Sequence, residues 1–267
     1  MIQIKKILDD IVEYAYKDNP KLSQYKSFSV VIVEKMYKSK HGDYDIISKQ
    51  IRIFNPHRPD AAIVSTLIHE LAHHIDNMNR GDSDHSEAFY KEYKTLLYAA
   101  LDMGVLNKEQ VLENERDATD SLKVKAMISD YEPKASDYKE SGRVIVVKNC
   151  FHKKESLKTR GYKYNGMNKS WDKEISIDAI DEEIDYLTEQ SLKFEVFNKG
   201  HISFDKKIFI LAGKGSYEKK DKLKELGFRW LNADRVWGLE VNYNEAKDKI
   251  FELKEMLPDI EFNLSKY

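Results

Sequence analysis

The sequence predicts an α+β chain: helices with a small sheet come first, and a small α/β module, present twice, follows. Three observations predict this. Val64, Leu67, Ile68, Leu71, Ile75 and Met78 recur at helical spacing, and two β-rich runs, residues 27–34 and 49–55, precede them. The C-terminal half matches itself at a fixed offset. KKESLKTRGYKYNGMNKSW from Lys153 and KKDKLKELGFRWLNADRVW from Lys219 lie 66 residues apart, and the same offset joins Leu157 to Leu223, Gly161 to Gly227 and Trp171 to Trp237.

The bulk numbers agree with a folded chain. Of 267 residues 41% are hydrophobic, enough for a buried core. The 44 basic and 46 acidic side chains nearly cancel, which excludes a global attraction to nucleic acid but leaves room for a local basic face. A single cysteine, Cys150, makes neither an internal disulfide nor a cysteine-based metal site, and reads as a structural thiol.

Residues 1–17 mix Ile2, Ile4, Ile7, Leu8, Ile11 and Val12 with Lys5, Lys6, Asp9 and Asp10, the pattern of an amphipathic helix and not of a signal peptide. No stretch approaches the roughly 18 apolar residues of a membrane span, so a cytoplasmic protein is expected. Strands are expected at 27–34 and 49–55. A long helix then opens near Pro59–Asp60 and stops at Gly81. A further helix is expected from Asp84–His85, with Asp84 and Glu87 as a capping pair, and a charged one over 108–128. Residues 130–142, polar and aperiodic, read as a linker between a domain over 1–129 and modules over 143–200 and 205–267. Each module reads as strand, helix, two short strands, helix, strand, the split βαβ order.

The long helix contains HELAHH, residues 69–74. His69 and His73, four apart, present both imidazoles on one face and supply two corners of a tetrahedral zinc site. Glu70 beside them is the candidate base. His85, beyond the glycine turn, is the candidate third ligand and leaves a fourth position for water. The expected cofactor is thus one Zn2+ per chain. His74 points about 100° away from His73 and reads as a surface or supporting residue. Asp76 could orient a ligand imidazole through its far nitrogen, and Tyr90 and Tyr93 are candidates to polarise a substrate carbonyl.

IRIFN, TLIHELAHHID and HSEAFYKEY together resemble the SprT-like (Spartan-type) zinc metallopeptidases over residues 49–93. In that family a histidine followed four residues later by Trp or Phe supplies the third ligand; here the aromatic is Phe89. Ser86 stands where the family usually has glycine, and with one cysteine the chain lacks the family's cysteine-rich zinc ribbon. The resemblance implies a zincin-like fold for residues 1–129 and proteolysis of a protein substrate near DNA.

In the modules basic residues alternate with aromatics. Lys154, Lys158, Lys163 and Lys169 match Lys220, Lys224, Arg229 and Arg235; Phe151, Tyr162, Tyr164 and Trp171 match Tyr217, Phe228, Trp230 and Trp237. These are candidates for contact with nucleic acid or with a protein partner, while Trp171 and Trp237 suit a core. The pattern is similar to small modules of DNA-processing proteins of the HARP type. Three functions follow as expectations: a DNA-associated protease, a repressor-cleaving protease of a mobile element whose repeats dock a protein, and a binding protein with a structural zinc. Oligomeric state is not encoded in any motif.

Overall fold

Apolar residues on one stripe of the opening segment fold it into α1 (Ile2–Tyr16), with Ile4, Ile7, Leu8, Ile11 and Val12 in the core. The computed structural model describes residues 2–33, 37, 40–55, 58–114, 121–166, 168–201, 207–232, 235–242 and 245–265. They form two compact units, Met1–Phe204 and Asp205–Tyr267. Among them no helix is long and apolar enough to cross a membrane.

After α1 come a short helix, α2 (Leu22–Tyr25), and three strands, β1 (Ser29–Ile32), β2 (Gly42–Asp45) and β3 (Gln50–Ile53). β3 is central, with β1 parallel on one side and β2 antiparallel on the other. Strand β2 has no sequence signature, because Gly-Asp-Tyr-Asp lacks the β-branched residues that mark strands. α3 (Asp60–Arg80) ends where expected. Gly81 takes the left-handed conformation (φ 82°) and its N–H donates to the Asn77 carbonyl at 2.8 Å.

One expectation is corrected at the next turn. α4 (Glu87–Asp102) begins at Glu87 with Ser86 as its N-cap residue, and Asp84 accepts the Ser86 N–H at 3.2 Å. His85 therefore sits in the loop before the helix and not in its first turn. α5 (Lys108–Asn114) and α6 (Ser121–Ile128) cover the two ends of the expected charged helix, whose residues 115–120 lie outside the described ones. The polar segment after α6 is strapped to the same core. Tyr131 and the Lys134 N–H both donate to Asp102 at 2.7 Å, and the buried Tyr138 hydroxyl donates to Asp10 at 2.8 Å.

The first module comprises β4 (Gly142–Lys148), α7 (Lys154–Thr159), β5 (Lys163–Asn165), β6 (Ser170–Ser176), α8 (Ile180–Glu189) and β7 (Phe194–Asn198), with sheet order β5-β6-β4-β7. The second comprises β8 (Lys207–Ala212), α9 (Lys220–Glu225), β9 (Arg229–Leu231), β10 (Val236–Asn242), α10 (Ala246–Met256) and β11 (Phe262–Leu264), ordered β9-β10-β8-β11. Both sheets are antiparallel with the split βαβ order. Strand register departs from the fixed 66-residue offset at one place. Trp171 lies opposite Val147 and Trp237 opposite Ala212, so the first strands correspond at an offset of 65 while the third strands keep 66. The segment between the first strand and the helix is one residue longer in the second module.

The two small cores solve one position differently. In the first module Glu183, buried, accepts hydrogen bonds from Nε and Nη2 of Arg160, each at 3.0 Å, and from the Lys173 ammonium at 2.5 Å. At the 66-residue offset the second module carries Leu226 and Leu239 in place of Arg160 and Lys173, packed against its core, and Lys249, paired with Glu252, in place of Glu183. Removing one member of a buried ion network strands the others, whereas replacing the whole network by apolar groups is often neutral. Glu183→Ala is thus expected to cost about 3–5 kcal/mol in chemical unfolding, and the triple Arg160→Leu, Lys173→Leu, Glu183→Leu variant to cost far less.

Candidate metal centre

Helix α3 and the loop after it build the site. His69 and His73 point from one face of the helix, and the turn at Gly81 folds the chain back so that His85 meets them. The His85 Nε2 lies 3.1 Å from Nε2 of His69 and 3.1 Å from Nε2 of His73. Four ligands about 2.0–2.1 Å from zinc in a tetrahedron stand roughly 3.3 Å from one another; the two separations from His85 match this, and all three ligand atoms lie within 4.8 Å of one another. His69 and His73 are half-buried and His85 is exposed, leaving one side of the cluster open. Phe89, fully buried, forms the floor. Its ring stacks on His73 at 4.2 Å and approaches His69 and His85 at 5.0 and 4.9 Å.

Glu70, 7% exposed, lies against β2. A Cβ at Gly42 would come within 3.0 Å of the Glu70 Oε1 and 2.7 Å of the Thr66 methyl, so only glycine lets the strand backbone approach this closely. Burial raises the Glu70 carboxyl to about 8, the negative charge of Asp43 adds to the rise, and Lys40 opposes it. The strand beside Glu70 is therefore the edge strand β2, and not the central strand β3 (KQIRIFN) that directly precedes the motif helix in sequence.

The remaining candidates sort by packing. His74 is fully buried and holds the core together. Its Nε2–H donates to the Gln24 carbonyl at 3.2 Å, so Nδ1 accepts from the Tyr44 hydroxyl at 2.9 Å. Burial pushes its pKa down to about 4, so the ring stays neutral. Of the two readings, surface or supporting residue, the surface one is corrected: the helix face 100° from His73 looks into the α2–β2 packing, not to water. Asp76, 1% exposed, touches no imidazole directly; it accepts a hydrogen bond from Ser83, which contacts His73. Sequence reasoning missed Ser83, whose only signal is its place just after the glycine turn. Tyr93 is fully buried, edge-on to His69 at 5.1 Å. Tyr90 is half-buried, 6.1 Å from the His85 ring, with the Lys123 ammonium over its own ring at 4.1 Å.

In the modules Phe151 and Tyr217 are 78% and 83% exposed, and Tyr164 and Trp230 about half exposed, each against its tryptophan neighbour (Tyr164–Trp171 at 5.3 Å, Trp230–Trp237 at 5.6 Å). Tyr162, Phe228 and Trp171 are buried, and Trp237 packs against the second core. Lys154 covers the Phe151 ring at 4.7 Å. Lys158, Lys224 and Arg229 pair with Glu155, Asp221 and Glu240 at 3.1–3.3 Å, and Lys163, Lys169, Lys220 and Arg235 are exposed. Cys150 is buried, its thiol raised by burial, as a structural thiol would be.

No protein-family model matches the chain. No curated protein matches it either. Among solved structures, the metallopeptidase zymogen of Pyrococcus abyssi abylysin is similar at 15% identity, over 50% of this chain and 99% of that one, with a TM-score of 0.27. A score that low carries no argument, so the candidate site rests on its own geometry.

Proposed function

We propose that the chain is a zinc-dependent metallopeptidase, with His69, His73 and His85 as metal ligands and Glu70 as the base. The observation that supports this is the convergence of three imidazole nitrogens, with the His85 Nε2 3.1 Å from each of the other two, beside the buried carboxylate of Glu70. A divalent ion held there acidifies water and polarises a carbonyl. Glu70 takes the proton from the attacking water and delivers it to the leaving amine, whose nitrogen also receives the second proton of that water, so that one peptide bond and one water become a carboxylate and an ammonium group. Phe89 and Tyr93 hold the imidazoles, and the outer edge of β2 offers backbone groups to an extended peptide. Zinc analysis and hydrolysis of an unfolded protein by the full chain test the reading. About one zinc per chain is expected, with cleavage lost on chelation and restored by zinc. Zinc that is needed for folding while no peptide bond is cut would favour the structural-metal alternative.

We further propose that the two four-stranded modules are copies of one unit and recruit the protease to DNA. The support is that the aromatics Phe151/Tyr217 and Tyr164/Trp230 are exposed in both modules, in stretches of sequence that also carry basic residues. Stacking on a base contributes about 1–3 kcal/mol. Binding of a single-stranded oligonucleotide by full-length Glu70→Gln protein is expected to weaken roughly 5- to 100-fold in the Tyr217→Ala, Trp230→Ala double variant and to fall with salt. No binding by the parent protein would favour a protein partner instead, as in a repressor-cleaving protease.

A further inference from the structure

The loop between Gly81 and α4 carries His85 and is tied to α3 by a chain of polar contacts. The Ser83 Oγ lies 2.8 Å from the His73 Nδ1 and 2.8 Å from the Asp76 Oδ2. Asp76 in turn takes both Nε and Nη2 of Arg80, at 2.7 and 2.6 Å, and the same Nη2 reaches Asp84 at 2.9 Å. Asp84 is the residue before His85. Burial opposes ionisation of Asp76, but the hydrogen bonds from Arg80 and Ser83 outweigh it and hold the carboxyl below its usual range.

The direction of each bond is fixed by donor count. An ionised carboxylate only accepts, so the single hydroxyl proton of Ser83 goes to Asp76. Ser83 Oγ is then left as an acceptor towards His73, and the proton on the imidazole must sit on Nδ1. That tautomer leaves the Nε2 lone pair facing His69 and His85.

We infer that Ser83 and Asp76 act as positioning residues, a serine-relayed carboxylate clamp that selects the ligand tautomer of His73 and, through Arg80 and Asp84, anchors the loop bearing His85. This rests on the proposed metal site. Direct carboxylate contact with a ligand histidine is the common arrangement; here helical spacing puts Asp76 on the same face but leaves a gap that Ser83 fills from the returning loop.

The test uses the full-length protein with two readouts. One is zinc affinity by competition with a chromophoric chelator; the other is the His73 imidazole tautomer in the metal-free protein by nitrogen NMR. Ser83→Ala is expected to weaken zinc binding by about 10- to 100-fold and to lose the pure Nδ1–H tautomer, and Ser83→Thr, which keeps the hydroxyl, to restore both. Asp76→Asn should be the more severe change, since its amide can donate to Ser83 and reverse the relay, moving the His73 proton to Nε2. Wild-type zinc affinity together with an unchanged tautomer in Ser83→Ala and Asp76→Asn would overturn the clamp. Absence of zinc from the wild-type protein would instead overturn the metal reading, while the tautomer measurement still decides the clamp.

Discussion

Exchanging Glu70 for glutamine is expected to lower peptide hydrolysis by about 100- to 10,000-fold while zinc content stays at the wild-type level. Glutamine has the shape of glutamate, so it fits the tight space beside Gly42 and Thr66. It cannot accept the proton of the attacking water. A proportional loss of zinc in the variant would count against the role given to Glu70. The same substitution has a second signature in metal-free protein. The Glu70 carboxyl is raised from its ordinary 4.5 to about 8, chiefly by burial, so the folded state holds this proton more tightly than the unfolded state. Stability from this group is full below pH 4.5, falls as the pH climbs towards 8 and levels off above it. Each pKa unit corresponds to about 1.4 kcal/mol, so the chelated wild type should lose at least about that much between pH 5 and pH 8. Chelated Glu70→Gln should lose less over the same window, which urea unfolding at the two pH values would show.

His85→Ala and His74→Ala are expected to fail in opposite ways, although both remove a histidine within the same stretch. His85 is exposed on a loop, its ring against the site rather than in the core, so its loss should leave folding intact. Zinc affinity should drop on the order of 100-fold or more, since losing a direct ligand costs at least as much as losing its support, and hydrolysis should go with it. His74 is fully buried between the Gln24 carbonyl and the Tyr44 hydroxyl. His74→Ala leaves a cavity and two stranded polar groups, worth about 2–4 kcal/mol of stability, while the remaining folded protein keeps its zinc. Elemental analysis beside urea unfolding separates the two. Zinc retained in His85→Ala would remove it as a ligand.

What the sequence determined by itself is what depends on neighbours within one helical turn or at a chain reversal. The i, i+4 spacing of His69 and His73 and the placement of Glu70 between them are consequences of helix geometry alone. So is the stop at Gly81, because only a residue free to take positive φ closes a helix that way. The periodic runs that became α1, α3 and the module helices were equally legible, and so was the split βαβ order of each module.

Tertiary structure decided whatever depends on residues far apart in the chain. The strand β2 has no propensity of its own and exists because β3 pairs with it and α3 packs beneath it. Whether His74 faces water or core depends on α2 and β2 arriving over that face of the helix. The link from Asp76 to His73 needed Ser83 returned by the loop, and the register of β4 and β8, not the residue count, showed that the segment from first strand to helix is one residue longer in the second module. Local periodicity fixes which face of an element a side chain occupies; only the packing of distant elements determines what that face meets.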